Sequence, residues 1–300
     1  MWMRMCGRTH AGSEKPITEG KDMAELCMRF PGGKARCLTL SYDDGVINDL
    51  RLAELYEKKG LKCTFNLNSG TWNERDYDDY TYEHRRLTLE KAKGLYTRSG
   101  FEVASHSVTH PHLEKLPAAN CTKEILEDRL ALEKDFGGAV RGFAYPFGTW
   151  NDTVITSLKA CGMVYARTVW SSHNFEIPRD WLVLRPTCHH EDPELSKLTE
   201  RFLEKEGPWP DVRLFYVWGH SYEFDFHNNW EIIENFTDKI SGRDDIWYAT
   251  NIEVYDYVKA YEGLVFDAAL TEVTNKSMID VWLVLEGREI KVGAGETVKL

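Results

Sequence analysis

The stretch LTLSYDDGVINDL sets Asp43 and Asp44 side by side at the end of an apolar run, with Gly45 immediately after them. Two carboxylates this close in a poorly solvated pocket cannot both stay ionised without cost, so one protonates unless a cation stands nearby. An ion held by one leaves the other available as a base, whereas an exposed Asp-Asp-Gly turn is the plain alternative. Farther along, EVASHSVTHPHL carries His106 and His110 four residues apart. Imidazoles at this spacing converge on one divalent ion, and Pro111 argues for a tight turn there rather than a helix. One aspartate and two histidines leave a coordination position open, as in catalytic rather than structural metal sites. A water in that position has its pKa lowered toward neutrality, and Asp43 would take its proton. His112, next to the proline, reads as a loop residue.

Three further stretches end strand-like runs. RGFAYPFGTWN is either a β-to-α connection with Asn151 or Asp152 as the helix cap, or a wall that holds substrate and offers backbone N–H groups to an oxyanion. In LFYVWGHSYEF, His220 emerges from an apolar strand, where a general acid is the functional reading and a core histidine the bland one. PTCHHED follows another strand with Cys188, His189 and His190, which would line a groove or form an incidental metal site. Trp150, Trp170, Trp181, Trp218 and Trp247 are candidates for stacking on a ring-shaped substrate or for filling the core. Trp218 shares a strand face with Tyr216 and His220 and is the preferred groove aromatic.

These residues need elements that bring them to one place. From Cys37 onward, strand-like runs (CLTLSY, KCTFNLN, FEVAS, VRGFAYP, MVYARTV, WLVLRP, RLFYVWG, IWYATN) alternate with helix-like segments. That alternation predicts crossovers and a largely parallel sheet of seven or eight strands, enough for a barrel with its chemistry at the C-terminal strand ends. Residues 1–33 read as an N-terminal extension and 34–263 as the catalytic domain. Residues 264–300 read as a small β-rich appendage containing a hairpin in MIDVWLVLEGREIKVGAG.

The chain has 300 residues, a formal net charge of -11 and no basic block, which sets nucleic acid aside. No stretch approaches a membrane span or a signal-peptide core, and the seven scattered cysteines form no C-x-x-C pair. A reducing, cytoplasmic setting is expected.

In this order SYDDG, HSVTH, AYPFG and VWGH resemble the motifs of the polysaccharide deacetylases of carbohydrate esterase family four, over about Lys34 to Gly263. The resemblance implies a distorted (β/α) barrel of about seven units with a groove for an extended sugar chain. It implies Asp43 as general base, and Asp44, His106 and His110 as ligands of one divalent ion, with Zn²⁺ the first choice and Co, Ni or Mn the others. It further implies His220 as the acid that protonates the leaving group, the Phe147 N–H as an oxyanion donor, and release of acetate from an acetylated oligo- or polysaccharide. Tyr145, Pro146, Trp218, Arg167 and His189 complete the set assigned to the groove. Many family members carry an arginine four residues before the loop glycine that pairs with the base, but this chain has Ala144 there, as in an F-A-Y-P-F/Y-G branch of the same superfamily. Arg167 is the proposed substitute, ahead of Arg141 and Arg185. Two other readings stay open: a hydrolase of a small cyclic amide or imide on the same fold, and a catalytically silent carbohydrate-binding protein.

Overall fold

The computed structural model describes residues 26–74, 85–204 and 211–300. In chain order its elements are β1 (Leu26–Arg29), β2 (Arg36–Asp43), α1 (Asp49–Lys59), β3 (Cys63–Leu67), α2 (Leu89–Tyr96), β4 (Phe101–Ser105), α3 (Ala118–Phe136), β5 (Gly142–Ala144), α4 (Asp152–Ala160) and β6 (Tyr165–Arg167). They continue with β7 (Cys188–His189), α5 (Leu195–Leu203), β8 (Arg213–Gly219), α6 (Tyr222–Phe226), α7 (Glu231–Ile240), β9 (Ile246–Tyr248) and α8 (Asn251–Glu262). The C-terminal strands are β10 (Val265–Phe266), β11 (Glu272–Thr274), β12 (Val281–Leu285), β13 (Arg288–Val292) and β14 (Thr297–Lys299).

β2 is buried at every position after Arg36 and runs parallel to β3 on one side and β8 on the other. A strand covered on both faces reads as a near-continuous apolar run, which is what CLTLSY is. The main sheet has the order β6-β5-β4-β3-β2-β8-β7, with β9 beside the start of β2. Its pairings are all parallel. Leu40, Phe65 and Val217 of the sheet pack with Leu52 and Tyr56 of α1 and with Ile233 and Phe236 of α7. Each such side chain contributes about 1.5–3 kcal/mol by leaving water. The local signals hold as well: α1 stops at Gly60, whose φ of 65° lets its N–H reach back to Glu57 O and Tyr56 O. Asn151 caps α4 by accepting from Val154 N.

The sheet curls because one segment touches both of its ends. Leu184 bridges Arg167 on β6, and a few residues later Cys188–His189 pair with β8. The strand expected in WLVLRP is reduced to that bridge. Trp181–Val183 instead form one 3₁₀ turn, with Asp180 Oδ1 accepting from Leu182 N at 3.0 Å. The consecutive residues Trp181 and Leu182 are both buried, in different core clusters, and a turn delivers that packing.

After α8 the chain contributes to two small three-stranded sheets, β10-β11-β14 and β1-β12-β13. β12 and β13 form a hairpin across Glu286 and Gly287, both at positive φ, as a two-residue primed turn requires. β1 pairs antiparallel with β12, so the end of the segment read as an extension adds a strand to this unit. The Tyr257 hydroxyl of α8 accepts from Trp282 N at 3.0 Å and donates to Arg29 O, tying the unit to the barrel. Cys37, Cys63, Cys121, Cys161 and Cys188 are free and buried, whereas Cys27 is disulfide-bonded. Among the described residues no helix is long and apolar enough to cross a membrane.

Candidate active site

The chemistry-bearing residues meet at the C-terminal ends of the parallel strands. Asp43 is the last residue of β2, and its side chain is buried. The next residue, Asp44, turns at φ 87° and Gly45 at φ 65°, which swings the Asp44 carboxylate toward the end of β4. There HSVTH forms a turn, not a helix: His110 N donates to Ser107 Oγ at 3.1 Å, and Ser107 and His110 both have positive φ. Glu124 of α3 fixes this turn from outside, accepting from Thr109 N and Thr109 Oγ1, each at 2.9 Å. One ligand atom each from Asp44, His106 and His110 lie within 4.8 Å of one another.

That donor set fits a divalent ion. His106 Nδ1 lies 2.8 Å from Ala144 O, so its hydrogen sits on Nδ1 and the Nε2 lone pair is left for a ligand bond. Burial pulls the His106 pKa down to about 4, which keeps the ring neutral as a ligand must be. Burial also lowers His110. For Asp44, burial works to raise the carboxyl, but Arg86, with Nη2 at 2.9 Å from Oδ1, and the neighbouring histidines overcome it and hold it below the usual range.

Asp43 sits between this set and His220. Its Oδ2 is 3.8 Å from His106 Nε2 and 3.8 Å from His220 Nε2. Arg167 Nη2 donates to both carboxylate oxygens, at 2.5 Å to Oδ1, and Asn66 Nδ2 donates to Oδ1 at 2.7 Å. Burial would raise the Asp43 carboxyl, yet the Arg167 guanidinium brings it below its ordinary value. Arg167, placed by sequence at the end of a strand, is therefore the partner of Asp43. Arg141 instead pairs with Asp256 at 2.5 Å, and the Arg185 guanidinium lies near the Trp170 ring.

His220 leaves β8 with Nδ1 3.2 Å from Glu223 Oε1. Burial lowers its pKa, but Glu223 and Asp43 more than offset that, so His220 holds a proton more firmly than a free histidine. Glu223 also accepts from His220 N at 3.1 Å. His189, His190 and Glu223 form a second group of close donors. Because His189 Nδ1 accepts from Glu191 N at 3.2 Å, its hydrogen is on Nε2, which points at Glu223 Oε2 at 3.1 Å. That contact lies against Glu223, and His189 is positioned behind His220.

Three residues assigned to the groove sit elsewhere than expected. Tyr145 is buried with its hydroxyl donating to Leu182 O at 2.7 Å, and Pro146 is buried too, so both belong to the core under the loop. Phe147, half-exposed at φ 58°, is the residue this loop presents, its ring stacked on His112 at 4.0 Å between centroids. Trp218 is buried, lying 4.3 Å from the Arg167 guanidinium, and so backs Arg167 without offering an open face. Trp170 is the half-exposed one of the five candidate tryptophans. Sequence reasoning missed Asn66, Arg86 and Glu223. The last had a signal, a glutamate three residues beyond the strand-end histidine.

A sequence profile described as Polysaccharide deacetylase matches residues 31–166. A chitooligosaccharide deacetylase from Sinorhizobium fredii is 35% identical over 83 residues, covering 27% of this chain and 36% of that protein. The chain therefore aligns with about a third of the length of this curated relative. Among solved structures, the Streptococcus pyogenes deacetylase PplD in complex with acetate shares 21% identity at a TM-score of 0.45, covering 55% of this chain and 69% of that one. A family 4 carbohydrate esterase from Streptomyces lividans in complex with acetate shares 17% identity at a TM-score of 0.46, covering 71% and 92%. The stretch matched by that profile, residues 31–166, is the one that contributes Asp43, Asp44, His106 and His110 to the site.

Proposed function

We propose that this protein is a metal-dependent hydrolase that removes N- or O-linked acetyl groups from an oligo- or polysaccharide, with its catalytic unit over residues 34–263. The observation that carries the reading is the placement of Asp43: ion-paired with Arg167 and equidistant from His106, of the ligand set, and from His220. When bound by Asp44, His106 and His110, a divalent ion, Zn²⁺ first and Co²⁺, Ni²⁺ or Mn²⁺ after it, supplies Lewis-acid polarisation and a water of lowered pKa. Asp43, kept ionised by Arg167, takes the proton of the attacking water at Oδ2. His220 delivers a proton from Nε2 to the departing amine or alkoxide, while Glu223 holds Nδ1 and stabilises the charged ring. The backbone N–H of Phe147, on the exposed bend of its loop, serves the developing oxyanion.

The test is acetate release from acetylated chito-oligosaccharides, acetylated xylan and a small aryl acetate, before and after chelation and after reloading with Zn²⁺ or Co²⁺. Activity is expected to vanish on chelation and return on reloading. No release from any substrate by protein holding one ion per chain would reject the reading and turn attention to a cyclic amide substrate or a silent binding role.

Glu223 sets how firmly His220 keeps its proton. Its contact with His220 is one cause of that ring's raised pKa, so Glu223→Gln lowers it and His220 loses its proton at lower pH. The alkaline limb of the kcat/KM profile is expected to move toward acid. A limb that stays in place would show that Glu223 does not govern the acid.

A further inference from the structure

Asp44 holds a backbone conformation that costs an L-residue about 1–3 kcal/mol and persists only where its surroundings over-determine it. Those surroundings can be traced. Asp44 N donates to Asn66 O at 2.9 Å. On the other side Arg86 makes three contacts: Nη2 is 2.9 Å from Asp44 Oδ1, Nη1 donates to Asp44 O, and the same Nη1 donates to Asn68 Oδ1 at 3.2 Å. Asn68 is fully buried, and its Nδ2 donates to His106 O at 2.5 Å and Ser107 O at 2.9 Å. Arg86 is itself anchored, because its neighbours pair with the turn after β2, Ile47 N with Arg85 O at 2.8 Å and Leu87 N with Gly45 O at 2.9 Å.

A continuous chain of hydrogen bonds thus runs from the Asp44 turn through Arg86 and Asn68 to the His106 turn. We propose that Arg86 and Asn68 form a strap that fixes the Asp44 ligand against the His106 ligand and so sets the affinity of the site for its divalent ion. The inference rests on the reading of Asp44, His106 and His110 as ligands. It makes Arg86 a positioning residue despite its positive charge. Paired with Asp44, the guanidinium lowers the charge that attracts a cation, so a purely electrostatic role would weaken binding of the ion. A positioning role strengthens it, since groups that orient metal ligands are typically worth 10- to 100-fold in affinity.

The two roles predict opposite signs. Zn²⁺ dissociation constants would be measured by chelator competition on the full chain and on Arg86→Gln, Asn68→Ala and the double variant, with thermal melts of each metal-free protein. Each single variant is expected to bind Zn²⁺ about 10- to 100-fold more weakly, and the double variant to lose no more than the worse single one, because both cut the same strap. Tighter binding by Arg86→Gln, affinities within threefold of the parent, or lower melting temperatures with unchanged affinity would each overturn the proposal. His110→Ala serves as the control: if it leaves Zn²⁺ binding intact, it is the ligand assignment that fails.

Discussion

Asp43→Asn is expected to slow acetyl release by about two to four orders of magnitude while one divalent ion per chain stays bound. Asparagine keeps the shape and can still accept from Asn66 through its amide oxygen. It cannot take a proton from water. The proposed ligand set is untouched, because Asp44, His106 and His110 keep the donor atoms that could hold the ion. Asparagine also leaves the fully buried Arg167 facing a neutral amide, and removing one partner of a buried pair costs about 3–5 kcal/mol. The variant should therefore melt earlier, and activity has to be assayed well below its own transition. A variant that retains more than a tenth of the activity would place the base elsewhere, and loss of the ion together with activity would make Asp43 a ligand.

What the sequence revealed about this site followed from short-range geometry. Asp43–Asp44 and His106–His110 each lie within five residues at the end of an apolar strand, and a parallel barrel delivers every such end to one face. Arg167 was within reach for the same reason, as a charged residue at the end of β6. Burial in the loops was less legible. Nothing in AYPFG shows that the Tyr145 hydroxyl finds Leu182 O while Phe147 turns outward, and the alternation that places Trp218 beside His220 does not reveal that Arg167 covers its face. The contacts made by Arg86 and Asn68 were hidden further, since they cross 42 and 38 residues of chain. WLVLRP failed as a strand because its apolar residues serve two clusters, a demand that composition does not encode.

Arg167→Met separates catalysis from stability through pH. The substitution keeps much of the side-chain volume against Trp218 and removes the only carboxylate-paired guanidinium on Asp43 among the described residues. In the parent, Arg167 holds the Asp43 pKa below its unfolded value, so the pair contributes stability that is present above the unfolded pKa and lost as pH falls through the folded one. In the variant burial is the largest influence left, opposed by His106 and His220, and with Arg167 gone the Asp43 pKa rises. The folded variant then binds a proton more readily than the folded parent does, so the stabilisation the parent keeps above the unfolded pKa is reduced. The difference in unfolding free energy between parent and variant should thus be smallest in acid and widen toward neutral pH, reaching about 3–5 kcal/mol. Activity follows the same ionisation: the acid limb of the kcat/KM profile moves to higher pH, and raising the pH restores part of the lost rate. Ion content is expected to stay at the parent level, which chelator competition checks. A stability deficit independent of pH, with an unmoved acid limb, would show that Arg167 acts as packing beside Trp218 and that Asp43 owes its charge to another group.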